Sequence, residues 1–130
     1  MIGLCLGLAG VVWAELPIPA FTLGWTHTIE KIRWEEDYQV SAAGLLLGEA
    51  RVKGSGAGME IPAGAVLSGG SWHYQRQLPP LQPLRLGRTP EAGDYQLCVD
   101  QQCRPMSDWI GPPKASQPAV ELWSCTLTGA

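Results

Sequence analysis

From Phe21 to Val40 apolar and polar side chains alternate with a period of two, which commits this stretch to a sheet. Phe21, Leu23, Trp25 and His27 fall on one face, against Thr22, Gly24, Thr26 and Thr28 on the other. Ile32, Trp34, Tyr38 and Val40 then alternate with Lys31, Arg33, Glu35, Asp37 and Gln39. A helix over Ile29–Val40 would tolerate the Glu and Lys residues, but aromatic and β-branched residues at every second position favour strand. Ser41-Ala42-Ala43-Gly44 reads as the next turn, after which Leu46, Gly48, Ala50 and Val52 share one parity. One register of this hairpin opposes Glu36 to Glu49. The other sets Glu35 against Arg51, Glu36 against Ala50 and Tyr38 over Gly48, and is preferred because cross-strand pairs each contribute about 0.2–1 kcal/mol.

Shorter strands are expected at Ser71–Gln75, Leu84–Arg88, Tyr95–Val99, Gln102–Met106 and Val120–Leu127. They are separated by Gly- and Pro-rich loops at Gly54–Gly64, Leu78–Pro83 and Gly111–Pro118. Sixteen Gly and eleven Pro beside six Trp and 45% hydrophobic residues suit frequent reversals around a real core, not disorder. The sequence therefore predicts a single all-β domain over residues 15–130: a small antiparallel sandwich or partly open barrel of seven to eight short strands. A net charge of −3 leaves no basic excess to neutralise phosphates, so nucleic acid is not an expected partner.

Met1–Ala14 carries no charge and ends just before Glu15, Pro17 and Pro19. As a helix it would rise about 21 Å, short of a bilayer, which suits a secretory signal cut after Ala14 or an N-terminal anchor. No Lys or Arg precedes the run, and a buried first strand or helix is the competing reading. On the export reading the protein is periplasmic or held in the cell envelope, with residues 1–14 removed or kept as a tether. Removal would take Cys5 away and leave Cys98, Cys103 and Cys125. Cys98-Val-Asp-Gln-Gln-Cys103 fits a hairpin with Asp100-Gln101 as its turn, where facing Cα atoms approach to about 4.5 Å, within disulfide range. Cys125 would then be left over unless it takes one of the other two. A zinc site is the rival reading, weakened by four spacer residues and the lack of a nearby His.

Two groups of residues carry chemical interest. By parity His27 lies with the inward aromatics, Glu36 lies with Ile32, Trp34 and Tyr38, and Glu30 is in phase with Glu36. A two-residue turn at Thr28-Ile29 would pair His27 with Glu30 and put Glu36 beside Phe21. An inward carboxylate has to be paired, hydrogen-bonded or protonated, so the functional reading is a polar pocket in an aromatic wall. The plain alternative leaves His27 and Glu30 in water and Glu36 neutralised by an arginine. The second group is Arg51-Val-Lys53-Gly-Ser55-Gly56-Ala-Gly58-Met59-Glu60, where alternate glycines after two cations suit an anion-binding nest. It is not a nucleotide phosphate loop, because the Lys precedes the glycines and no helix pattern follows. Gly-Ser55-Gly lacks the setting of a nucleophile elbow, and His27 with His73 has no zinc spacing, so no catalytic residue, metal or cofactor is expected.

Trp25-Thr-His-Thr-Ile-Glu-Lys31 with Glu36 beyond, and Glu49-Ala-Arg-Val-Lys-Gly-Ser-Gly-Ala-Gly-Met59, resemble the two motifs of a bacterial family known as domain of unknown function 1850. The resemblance extends through the Cys98–Cys103 hairpin to Cys125, with Thr28 where Ser is commoner. It implies an exported accessory protein of the kind often encoded beside TAXI-type tripartite ATP-independent periplasmic (TRAP) transporters. His27, Glu30, Glu36, Arg51, Ser55, Gly56, Gly58 and Met59 carry over as motif positions without an assigned role. The expected function is non-catalytic binding of a small anionic solute or a transporter subunit through the His27/Glu36 pocket and the 54–60 loop. The alternative is a small hydrolase with a Glu–His general base and the Gly-rich loop as oxyanion site. A third is docking of Met59, Pro62 and the tryptophans onto a membrane protein.

Overall fold

The structure, a computed structural model of the chain, describes residues 1–26, 32–53, 64–75 and 78–128. In chain order these form β1 (Ile2–Leu8), β2 (Val11–Leu16), β3 (Ala20–Thr26), β4 (Arg33–Ser41), β5 (Gly44–Lys53), β6 (Val66–Ser68) and β7 (Ser71–Gln75). There follow β8 (Leu84–Gly87), β9 (Gln96–Val99), β10 (Gln102–Pro105), the short helix α1 (Ser107–Ile110) and β11 (Ala119–Thr126). A four-stranded sheet, β2-β1-β11-β8, and a seven-stranded sheet, β10-β9-β3-β4-β5-β7-β6, are antiparallel and enclose one core. All eight strands expected from sequence are present; β1, β2 and β6 are additional.

Leu4, Leu6, Leu16, Val120 and Leu122 of the smaller sheet meet Phe21, Leu23, Tyr38, Leu45 and Leu97 of the larger, and all are buried. Residues 1–14, read from sequence as a signal or anchor outside the domain, are here part of it. β1 lies between β2 and β11, with Leu4 and Leu6 completely buried. Cys5 is bonded to Cys125 across the β1–β11 pair, at a Cα–Cα distance of 5.9 Å, and Cys98 is bonded to Cys103. No cysteine is therefore left over. In the chain-entropy account the bond that spans 120 residues is worth about 5 kcal/mol and the one that spans 5 about 2 kcal/mol. Gln82 satisfies the backbone of inward-facing Ser124, accepting from its N–H at 3.0 Å and donating to its carbonyl at 2.9 Å.

The β3–β4 register differs from the expected one by two residues. Thr26 pairs with Arg33, so Glu36 stands opposite Leu23, not Phe21. An even shift keeps each side chain on its expected face. The β4–β5 register opposes Glu35 to Arg51 and Glu36 to Ala50 as expected, but a bulge then sets Tyr38 against Leu47. β5 fits Gly48 and Glu49 into the space opposite Asp37.

The end of β8 is fixed by a buried ion pair. Arg88, 6% exposed, donates to both oxygens of Asp94 at 3.1 Å and to the Gly111 carbonyl at 2.7 Å. Asp94 in turn accepts from the N–H groups of Tyr95 and Ser107, tying β9 and α1 to the same point.

Two outcomes follow. Leu6→Ala should lower unfolding free energy by about 2–5 kcal/mol in urea titration, whereas Val12→Ala at the exposed hairpin tip should stay within about 0.5 kcal/mol; equal effects would remove β1 from the core. Asp94→Ala, which leaves Arg88 buried and uncompensated, should cost about 3–5 kcal/mol by the same measurement.

Candidate functional site

The pleat of the larger sheet separates the candidate residues onto two faces. Two side-chain rows cross its inner face. One runs Trp25, Trp34, Val52, Trp72 and Leu67; the other runs Leu97, Leu23, Glu36, Ala50 and Tyr74. Trp25 stacks on Trp34 with ring centroids 6.0 Å apart, and Tyr95 meets Trp25 edge-on at 5.9 Å. Glu36 lies between Trp34 and Tyr38 along β4. Tyr38, buried and stacked on Phe21 at 5.4 Å, donates its phenolic O–H to Glu36 Oε1 at 3.0 Å. Burial, reinforced by the charges of Glu36 and then Asp94, pushes the Tyr95 phenol above its ordinary range. The inner face thus holds a half-buried carboxylate in an aromatic wall, as the alternation predicts.

The outer face holds Arg51, one of the two cations in the anion-binding reading, and it is already engaged. Arg51 donates from Nη1 to Asp37 at 2.7 Å and to Glu49 at 3.0 Å, from Nη2 to Asp37 at 2.8 Å, and from Nε to Glu35 at 3.2 Å. The bulge makes this possible by bringing Asp37 and Glu49 to the same guanidinium. Thr22 donates to Asp37 Oδ1 at 2.7 Å, and Arg33 approaches Glu35 at 3.5 Å while lying across side-chain-free Gly24. The Arg51 guanidinium holds the Asp37 carboxyl below its ordinary value of 3.8, against the opposing effect of burial. His73, followed by Arg51, holds Glu49 below 4.5, and these carboxylates push the Arg51 pKa up. Lys53 is exposed at the end of β5.

Glu36 and Arg51 therefore do not share a pocket: adjacent parities on paired strands put them on opposite sides of the sheet. His27, Glu30, Ser55, Gly56, Gly58, Met59 and Glu60 lie outside the described residues. The strand ends that lead into their segments are nonetheless neighbours, since Thr26 pairs with Arg33, and Trp34 with Val52 just before Lys53. Sequence reasoning missed His73 as a member of the outer cluster. Its Nδ1 lies 2.8 Å from Glu49 and its Nε2 3.2 Å from the Ser68 carbonyl. Only the β5–β7 pairing of Arg51 with His73 brings it there, and no local pattern encodes that pairing. The zinc reading of Cys98 and Cys103 gives way to their disulfide, and among the described residues no group of three His, Cys, Asp or Glu side chains is placed to hold a metal. Beside the outer cluster an open groove of about 740 Å³ is lined by Thr22, Asp37, Glu49, Cys98, Asp100 and Gln101, among others.

The conserved-domain match fits this frame, because it begins at the first strand of the alternating run and ends just past the disulfide hairpin. A family model matches residues 21–106. The chain belongs to the family described as Domain of unknown function (DUF1850). No curated protein and no solved structure matches it. The DUF1850 match covers β3 through β10 and leaves β1, β2 and β11, which complete the smaller sheet with β8, outside.

The depressed carboxylates set a pH dependence. A folded-state pKa below the unfolded one contributes stability that is fully present above the unfolded value and is lost as pH falls through the folded value. Stability should therefore decline as pH drops below about 4.5 for Glu49 and below 3.8 for Asp37. Asp37→Asn should flatten the fall of Tm with pH below 3.8, read by thermal melts across that range. An unchanged slope would show that the Arg51 pairing contributes nothing.

Proposed function

We propose that this protein is a non-catalytic binding domain of the bacterial envelope that serves a TRAP-type solute transporter through the inner face around Glu36. The observation that carries the reading is the half-buried Glu36 carboxylate, held by Tyr38 among Trp25, Trp34 and Tyr95 beside the strand ends that lead into both sequence motifs. A carboxylate at an inward sheet position costs stability relative to an apolar side chain, so its presence supports a role in recognition. Engagement of Arg51 by Asp37, Glu49 and Glu35 favours a transporter subunit over a small anionic solute as the partner. The two disulfides support an oxidising compartment.

The test is capture of the neighbouring transporter's subunits from detergent-solubilised membranes by the tagged full-length chain. Glu36→Gln, which keeps shape and removes charge, should cut capture about tenfold, equivalent to ~1.4 kcal/mol, without lowering Tm. Undiminished capture by a variant with an altered Tm would assign Glu36 to the scaffold and overturn the reading. Binding of the transported anion with no subunit captured would replace the partner with the solute.

A further inference from the structure

The two disulfides differ in surroundings. Cys5 is 1% exposed within the central pair of the smaller sheet. Cys98 and Cys103 stand directly opposite one another on β9 and β10, with Cα atoms 3.9 Å apart, and Cys103 is exposed. β10 is the edge strand of its sheet, so an approaching chain meets both the bond and a row of free backbone groups. The bond closes a hairpin of only four intervening residues, and its loss therefore frees little chain entropy. The turn it closes is unfavourable for its residues: Asp100 and Gln101 both have positive φ, 51° and 66°, where Asn-Gly is preferred. That turn also separates two concavities. Val99 and Asp100 line both the groove of about 740 Å³ and a second of about 450 Å³ against Pro17, Ile18 and Trp109. At its other end the hairpin is anchored by the pairing of Pro105 with Gln96 and by Arg104, which bonds Asp108 at 3.1 Å and lies over the Trp109 ring.

We propose that the Cys98–Cys103 bond is a thiol-labile latch, opened by the dithiol of an oxidoreductase without unfolding the domain, and that its opening lets the Asp100–Gln101 turn relax and reshapes the wall between the two grooves. A thiolate of the dithiol attacks exposed Cys103 Sγ; the protein S–S bond breaks and Cys98 leaves as a thiolate that takes up a proton. The second thiol of the reductant then displaces Cys103 from the mixed disulfide. The reductant ends as a disulfide and the protein holds two thiols. Because the hairpin base stays anchored, the change is confined to the tip, while the Cys5–Cys125 bond, shielded on its Cys5 side, survives.

The experiment is titration of the full-length oxidised chain with dithiothreitol, alkylation of the released thiols, and peptide mass analysis, alongside hydrogen exchange. Cys98 and Cys103 should be alkylated at reductant concentrations at least about tenfold below those that open Cys5 and Cys125. Exchange across residues 98–103 should accelerate at least about tenfold while β1 and β11 remain protected. In the double variant Asp100→Asn with Gln101→Gly, whose turn needs no latch, reduction should leave exchange near the oxidised level. The proposal is overturned if both bonds open together, if the hairpin exchanges equally in both redox states, or if the reduced double variant exchanges as fast as the reduced parent. The titration uses the parent chain, so the reading does not depend on any variant folding.

Discussion

β1 and β11 are joined in register from Ile2 opposite Thr126 to Gly7 opposite Glu121, and the other strands of the smaller sheet attach to either side of that pair. The pairing sets Leu4 and Leu6 beside Leu122 and Val120, the wall against which Phe21, Leu23 and Tyr38 pack. On its back face β1 carries only Gly3, Cys5 and Gly7, for a steric reason. A side chain at Gly3 would meet the Leu16 carbonyl at 2.6 Å and Leu127 at 2.7 Å, and one at Gly7 would run into the Val11 carbonyl. The Cys5–Cys125 bond lies on this same back face and joins residues 120 apart in sequence, so a strand pair with a high loop-closure cost is also held covalently.

This arrangement explains why the middle of the fold was legible in the sequence and its beginning was not. In β3 and β4 one face meets the core and the other meets water, so polarity alternates and both strands and faces can be read directly. In β1 the outward positions Gly3, Cys5 and Gly7 are covered as well, no polar residue marks the second face, and the stretch looks like an export signal. Registers were legible only in part. The Asp100–Gln101 turn has the expected pairing, whereas the β3–β4 register moved Glu36 by two positions, and past the bulge the pairs from Tyr38–Leu47 to Ser41–Gly44 follow the register that would oppose Glu36 to Glu49. Of the candidate site, Glu36's inward placement followed from parity alone. The engagement of Arg51 did not, because it depends on a bulge and on His73 from a strand distant in sequence.

In sequence, Glu35-Glu36-Asp37 looks like a single acidic run beside an available Arg51, but the pleat divides it. Glu35 and Asp37 face outward, where Arg51 reaches both and Glu49 adds a further acceptor, so the guanidinium and its carboxylates are largely satisfied by one another. Glu36 faces the other way, and the bonded neighbour that β4 gives it is a phenol two residues along the same strand.

That division bears on what each face can recognise. A guanidinium shared among three carboxylates has to lose those bonds before it can accept a new anion, and the loss is taken from any binding energy gained. The inner carboxylate accepts the Tyr38 hydroxyl at Oε1 and lies beside the stacked indoles of Trp25 and Trp34. In that low-polarity setting a polar group from a partner interacts more strongly than it would on the open outer face. The same sheet therefore keeps its charge network on the outer face and sets a carboxylate among aromatic rings on the inner one, beside the strand ends at Thr26 and Lys53.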